Sequence, residues 1–520
     1  MEFWIIFLSL CICFVLKLLL NLILQKTYNK REHKVLPLPP GPSTFPIIGN
    51  FFWLRKTFFD LEPILRELHA KYGPIVSLHI GSQRAIYIRT HALAHEALVK
   101  NGAIFASRSP VSGGDRHIHR FNINSSPYSP IWRLLRRNLT TEMLHPSRLK
   151  SYSHARKWVL QVLINKLKAE SQSGNVVPVM NHIQYAMFCL LVFMCFGKKL
   201  DEKEVREIKA VQDTLIGNRT RFNVLNFLPS LLSRVFFQKL WNELQVILRK
   251  QENLFIPLIR AREERRNNPN SNPEEEEEEE DFVNSFVDTL PYLKLPDNGR
   301  KLSEIEMVGL CSEFLIAGTD TTSAALQWLL ANLVKHQHIQ SKLAKEIEGV
   351  VGKGEEINEE DLQKMPFLKA VVLEGLRRHP PAHFLLPHAV TEDTTLNGYL
   401  IPKNATTVNV TVAEIGRDPY AWEDPMEFRP ERFLSSVKGE EVIDITGQKE
   451  IKMMPFGAGR RICPGLGLAM LHMEYFLANL VRDFEWKARD GNDDVDLSEK
   501  LHFTVVMKNP LQALSYSRIK

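Results

Sequence analysis

The chain has 520 residues, 44% hydrophobic and 24% charged, with a net charge of +6. That balance supplies apolar mass for a large core and excludes an intrinsically disordered chain. The weak positive charge carries no Lys/Arg-rich run or zinc-finger spacing, so nucleic acid is excluded as a partner. Six scattered cysteines (Cys11, Cys13, Cys189, Cys195, Cys311 and Cys463) lay out no disulfide framework and point to a reducing compartment.

Residues 3–24 read FWIIFLSLCICFVLKLLLNLIL, roughly 33 Å as a helix and long enough to cross a bilayer. Lys17 interrupts the run, but it can snorkel to the nearer end. Lys26, Lys30, Arg31 and Lys34 follow, so the positive-inside rule puts the rest of the chain in the cytosol. The reading is therefore a transmembrane anchor at 1–25, a basic and proline-rich linker at 26–50, and a body at 51–520. Prolines at 37, 39, 40, 42 and 46 make the linker stiff and extended. Five N-x-[ST] sequons, at Asn124, Asn138, Asn218, Asn404 and Asn409, are expected to carry no sugar on the cytosolic side.

Residues 75–80 and 85–88 read as short strands. Helical periodicity then dominates, most strongly at 148–170, 180–196, 237–265, 304–336 and 361–379. The run NNPNSNPEEEEEEED at 267–281 repels itself and predicts a disordered surface loop. The segment FNVLNFLPSLLSRVFF at 222–237 reads equally as core or as a surface dipping into a bilayer.

Near the C-terminus, PFGAGRRICPG surrounds Cys463 with glycines and arginines. A thiolate serves as nucleophile or metal ligand. Nothing nearby matches a protease-type signature, and zinc would need further Cys or His partners. An axial bond to haem iron needs one sulfur. Glycine turns can then aim N–H groups at it, and a following helix adds favourable partial charge.

FGAGRRICPG resembles the haem-binding signature of cytochrome P450, with Phe456, Gly459, Arg461, Cys463 and Gly465 on its fixed positions. PPGP, AGTDTT, RRHPPAHFLLPH and the signature together resemble the plant A-type clade. The tracts SYSHARKWVL, CFGKKLDEK and VVLEGLRRHPPAHFLLPH resemble its family 89, subfamily A. The resemblance implies a mainly α fold with a small β-rich lobe, so that 51–520 forms one haem-thiolate monooxygenase domain.

By the same resemblance Cys463 ligates the iron of haem b, and Trp132, Arg136 and Arg461 hold its propionates. His388, in LLPHAV, falls where the family often has arginine, and by the same resemblance it joins the propionate ligands. Asp320 and Thr321, in AGTDTT, are the acid–alcohol pair that manages protons for bound dioxygen. Bottom-up, the two threonines and Gly318 weaken the helix there and predict a locally broken turn. Glu374, Arg377 and Arg432 form a structural charge network in the family.

The reading is a single-pass endoplasmic reticulum protein inserting one atom of O2 into a small organic metabolite, of plant specialised or catabolic metabolism. Electrons come from NADPH through NADPH–cytochrome P450 reductase, steered by Arg133, Arg137 and Arg460. A haem-thiolate isomerase or dehydratase, or a haem sensor, is the alternative, and the retained acid–Thr pair weighs against both. Substrate-facing candidates are the polar stretch 107–130, with Asp115, Arg116, His117, His119 and Arg120, and the smaller set Phe384, Leu385, Thr504 and Val505.

Overall fold

The computed structural model describes residues 36–43, 61–80, 83–108, 122–172, 176–222, 225, 235–267, 283–403, 406–434, 443–489 and 495–518. The anchor at 1–25 lies outside these residues, as do most of the linker and residues 268–281 of the acidic run. Residues 109–121, with all five charged and histidine candidates of the polar stretch, also lie outside them. Of the apolar segment 222–237, Phe222 and Leu225 are buried, whereas Val235 and Phe236 are 68% and 70% exposed.

Among the described residues, the helices of nine or more residues are α1 (Leu61–Tyr72), α2 (Pro130–Asn138), α3 (Ser153–Gln172), α4 (Val179–Phe196), α5 (Glu202–Gly217) and α6 (Gln238–Asn267). They continue as α7 (Glu304–Lys335), α8 (Gln337–Val351), α9 (Pro366–Arg378) and α10 (Leu466–Asp483). The strands are β1 (Ile75–Ile80), β2 (Gln83–Ile88), β3 (Val177–Pro178), β4 (Thr394–Leu396) and β5 (Tyr399–Ile401), then β6 (Thr406–Val410), β7 (Phe484–Ala488), β8 (Glu499–Leu501), β9 (Val505–Met507) and β10 (Gln512–Ser517). Three-stranded sheets run β1-β2-β6 and β3-β10-β7, with hairpins β4-β5 and β8-β9. In the first sheet β2 pairs antiparallel with β1 and parallel with β6.

Two predicted helices divide, for local reasons. The 148–170 pattern splits into Pro146–Ser151 and α3, and the 361–379 pattern into a 3-10 turn (Asp361–Lys364) and α9. Pro366 sits at the start of α9 and keeps Met365 out of the helical region.

α4 carries no Asp, Glu, Lys or Arg and, with a mean hydropathy of 1.7, is long and apolar enough to cross a membrane. Instead 72% of it is buried, between α3 and α7 at the centre of the core. It stops at Gly197, whose φ of +68° gives a left-handed cap. α7 opens with a capping box, Ser303 and Glu306 exchanging bonds with each other's backbone N–H.

Residues 36–43 lie against the β lobe. Ser77 N–H donates to Pro40 O at 2.7 Å, and Leu400 N–H to Pro37 O at 2.9 Å. Gly41 is required there, because a Cβ would sit 1.9 Å from Ser77 O. Asn138 and Asn409, two of the sequon residues, are 8% and 7% exposed, which leaves no room for a glycan.

Candidate active site

The Cys463 loop is shaped by backbone constraints. Gly457 and Gly459 adopt φ of +71° and +68°, a region costly for any residue with a Cβ. At Gly459 a Cβ would also lie 1.9 Å from the Leu98 carbonyl oxygen. Cys463 N–H donates to Phe456 O at 2.8 Å, closing the loop. α10 begins three residues later, so its partial positive end faces the cysteine's segment. Burial pushes the Cys463 thiol up, while the Gly465 backbone N–H and the Arg136 charge pull it down.

Arg136, on α2, donates from Nη2 to Ile462 O at 2.5 Å, next to the cysteine. Trp132 Nε1 and Arg461 Nη1 both donate to Ile123 O, at 2.9 and 3.0 Å. The Arg461 guanidinium lies 4.1 Å from the Trp132 ring centre, a stacked cation–π contact. Arg461 also reaches Ala106 O and Ser126 O, at 2.6 and 2.7 Å.

Arg108 joins this group, and sequence reasoning missed it because an arginine in FASRSP looks like any loop residue. It is 8% exposed and donates to Asn124 O, Leu386 O and Pro387 O, at 2.9, 2.9 and 3.1 Å. Burial, then the charge of Arg461, pulls Arg108 down to about 9; burial, then Arg136, pulls Arg461 down to about 10. Cations packed at such cost have the chemistry to receive an anionic group.

His388 is buried beside Arg108. Burial, with Arg108 beside it, pushes its pKa down to about 3, so the imidazole is neutral. Its Nδ1 lies 2.7 Å from Phe105 O, which only accepts, so Nδ1 carries the one proton. In this neutral form Nε2 is an acceptor, and the Nδ1 bond ties His388 to the turn at residue 105.

α7 runs unbroken through AGTDTT, contrary to the predicted broken turn. Thr319, Thr321 and Ser323 each bond the carbonyl four residues back, all at 2.7 Å, without ending the helix. Gly318 lets α4 approach, since a Cβ there would meet Leu191 at 2.7 Å. Asp320 Oδ1 accepts from Gln184 Nε2 of α4 at 2.7 Å. Burial raises the Asp320 pKa, and the Gln184 bond partly offsets this.

Among the described residues no three His, Cys, Asp or Glu side chains cluster as a metal site, so a zinc centre has no donor set here. One sulfur backed by an N–H, beside a cationic cluster, fits the single axial ligand and the propionates of a haem.

Comparison with known proteins agrees. Residues 39–515 match the family described as Cytochrome P450. The chain belongs to the cytochrome P450 family. It is 46% identical over 498 residues to Cytochrome P450 89A9 of Arabidopsis thaliana, covering 93% of this chain and 94% of that protein. This likeness supports membership of the plant P450 family 89. Geraniol 8-hydroxylase of Catharanthus roseus is 31% identical, over 96% and 98% of the two chains. A zebra fish cytochrome P450 structure superposes with a TM-score of 0.70 at 22% identity, covering 88% of this chain and 99% of that one, which bears on fold alone. The chain is a cytochrome P450 monooxygenase.

In this P450 the Glu374 carboxylate takes two bonds from Arg377, at 2.7 and 2.8 Å, one from Arg432 at 3.2 Å and one from Arg429 N–H at 2.8 Å. The Glu374 and Arg377 side chains are fully buried. Arg377 and Arg432 also bind carbonyls of residues 416–427, tying that stretch to α9.

Two cavities flank α7. One of about 330 Å³ is lined by Gln184, Asp320, Ile216, Arg219, Phe503 and Thr504 among others. A smaller one of about 70 Å³ touches Asn122, Ser312, Glu313, Ala317 and again Phe503. Of the expected lining residues that the structure describes, Thr504 lines the larger cavity, and Asn122 and Asn124 of the polar stretch line the smaller. Phe384 packs edge-on against Tyr87, Leu385 lies against Gly457, and Val505 O accepts from Trp328 Nε1 at 3.0 Å. Phe503 and Gln184 were not foreseen.

Proposed function

We propose that Cys463 is the axial iron ligand of haem b, and that Arg108, Arg136, Arg461 and Trp132 receive its propionates. The observation carrying this is the Cys463 loop, whose positive-φ glycines, Gly465 N–H and Arg136 converge on one half-buried sulfur. Bound haem supplies dioxygen activation, using electrons delivered one at a time. The chain's own part is to exclude water, hold the substrate and manage protons. Asp320, its pKa raised by burial, and the Thr321 hydroxyl would together hold and relay protons on the α7 side of the site.

The substrate is a small organic metabolite, of plant specialised or catabolic metabolism, seated in the α7 cavities. Residues 1–25 anchor the protein once in the endoplasmic reticulum membrane, residues 26–50 link anchor to body, and 51–520 act as one cytosolic catalytic domain. NADPH–cytochrome P450 reductase supplies electrons at the exposed Arg133, Arg137 and Arg460. Arg133 and Arg460 both stack on Tyr128, and Arg460 Nη1 donates to its hydroxyl at 2.7 Å.

A compound found by its spin-state shift tests the reaction. With 18O2, NADPH and reductase, its product gains one labelled oxygen atom. Oxygen drawn from water, or conversion without NADPH and reductase, contradicts the proposal.

A further inference from the structure

A second cluster of buried titratable groups lies away from Cys463. His383, 7% exposed, stands between two carboxylates. Its Nδ1 is 2.5 Å from Glu62 Oε2 on α1, and its Nε2 is 3.3 Å from Glu499 Oε2 on β8. Nδ1 donates to Glu62, while Nε2 is within ion-pair distance of Glu499 but outside hydrogen-bond geometry, so both carboxylates attract the ring only when it is the doubly protonated cation. Glu499 is also held by His379 Nδ1 at 2.8 Å and by Arg417 Nη2 at 2.5 Å.

The cluster grips the base of the β8-β9 hairpin, whose tip faces the cavities. Val505 N–H donates to Pro381 O at 2.8 Å. Trp328 Nε1 donates to Val505 O at 3.0 Å, and the Trp328 ring stacks on His379 at 4.1 Å. The tip residue Phe503 lines both cavities and Thr504 the larger. α1, α9, α7 and the segment after α9 therefore meet at one hairpin.

We propose that Glu62, His383 and Glu499 form a charge clamp that positions the hairpin tip against the substrate cavities, so that cavity shape follows the protonation of His383. The proposal rests on the reading that these cavities hold the substrate of a haem-thiolate enzyme.

The surrounding charges fix the direction of the response. Burial works against the charged imidazole, but the bonds and charges of Glu499 and Glu62 overcome it and raise the His383 pKa above its usual 6.5. Burial likewise opposes ionised Glu62 and Glu499, yet His383, His379 and Arg417 leave both carboxyls below their usual 4.5. His379, pushed down to about 4 by burial and the nearby Arg378 and Arg417, stays neutral. Arg66 lies 3.2 Å from Glu62, and Arg66 and Arg89 lie 3.5 and 3.2 Å from Glu414. A raised histidine pKa stabilises below 6.5 and loses that stabilisation as pH rises through the folded value. The lowered carboxyls stabilise above 4.5 and lose it only on acidification. The clamp is tightest between these limits and loosens on the alkaline side.

Hydrogen exchange in the full-length holoenzyme tests this, followed in peptides covering 499–507 from pH 6 to 9 and corrected for intrinsic exchange. Wild type should lose about tenfold or more of its protection as pH rises. His383→Gln should be flat, at the alkaline wild-type level. Glu62→Gln, the milder variant should His383→Gln not fold, should move the midpoint to lower pH. Wild-type protection independent of pH, or an unchanged profile in Glu62→Gln, overturns the clamp. A hydrophobic 1,2,4-triazole, neutral throughout this range, reports on the cavity through iron coordination. Its affinity should change severalfold with the same midpoint, and constant affinity beside a responding hairpin overturns the link to the cavity. A triazole giving no iron-coordination spectrum at any pH instead counts against the haem-thiolate reading, and leaves the exchange result standing by itself.

Discussion

The cysteine loop and the α7 cavities are built by opposite means. The loop is determined within eleven residues: two glycines at positive φ, a backbone approach to Leu98 that admits no Cβ, and one closing bond from Cys463 to Phe456. The larger cavity draws Gln184 from α4, Ile216 from α5, Asp320 from α7 and Phe503 from the β8-β9 tip. A site fixed by backbone sterics tolerates little change, whereas one assembled from distant side chains can be altered residue by residue. That difference would let a reaction centre stay fixed while the substrate wall is altered residue by residue.

The sharpest way to break the comparison is Gly459→Val. A β-branched residue at φ +68°, with its Cβ driven into the Leu98 carbonyl, should cost at least ~3 kcal/mol locally. The expected result is loss of bound haem or of its thiolate ligation, read by absorbance per protein. A variant with full haem content would show that the loop bends more easily than its geometry implies.

A smaller effect is expected on the cavity side. Gln184→Leu removes a hydrogen bond worth about 1 kcal/mol that stabilises the ionised Asp320 carboxylate. The Asp320 pKa, already raised by burial, should rise further, because the charged form loses a donor. Haem content should be unchanged, and the acid limb of the pH–rate profile should move to higher pH. A shift to lower pH, or loss of haem, would contradict the separation between the two regions.

The same division governs what could be read from sequence. The Cys463 loop was legible because glycines required by φ and close approach leave a fixed spacing. Helices α4 and α7 were legible because both carry long, mainly apolar runs at helical periodicity. The broken turn at AGTDTT failed because side-chain propensity yielded to burial: threonine hydroxyls found carbonyls within an intact helix. Arg108, Gln184 and Phe503 were not legible because their roles depend on neighbours tens to hundreds of residues away. The neutral state of His388 was not legible either, because burial and the charge of Arg108 act on the ring from outside its own segment.

The most direct test of the haem-thiolate centre is a reduced-minus-oxidised carbon monoxide difference spectrum on membranes containing the full chain, beside Cys463→Ala. The account predicts the strongly red-shifted Soret band of thiolate-ligated ferrous haem in the wild type and its absence in the variant. A band at the position of neutral-ligand haem in the wild type, or one unchanged by Cys463→Ala, would contradict it.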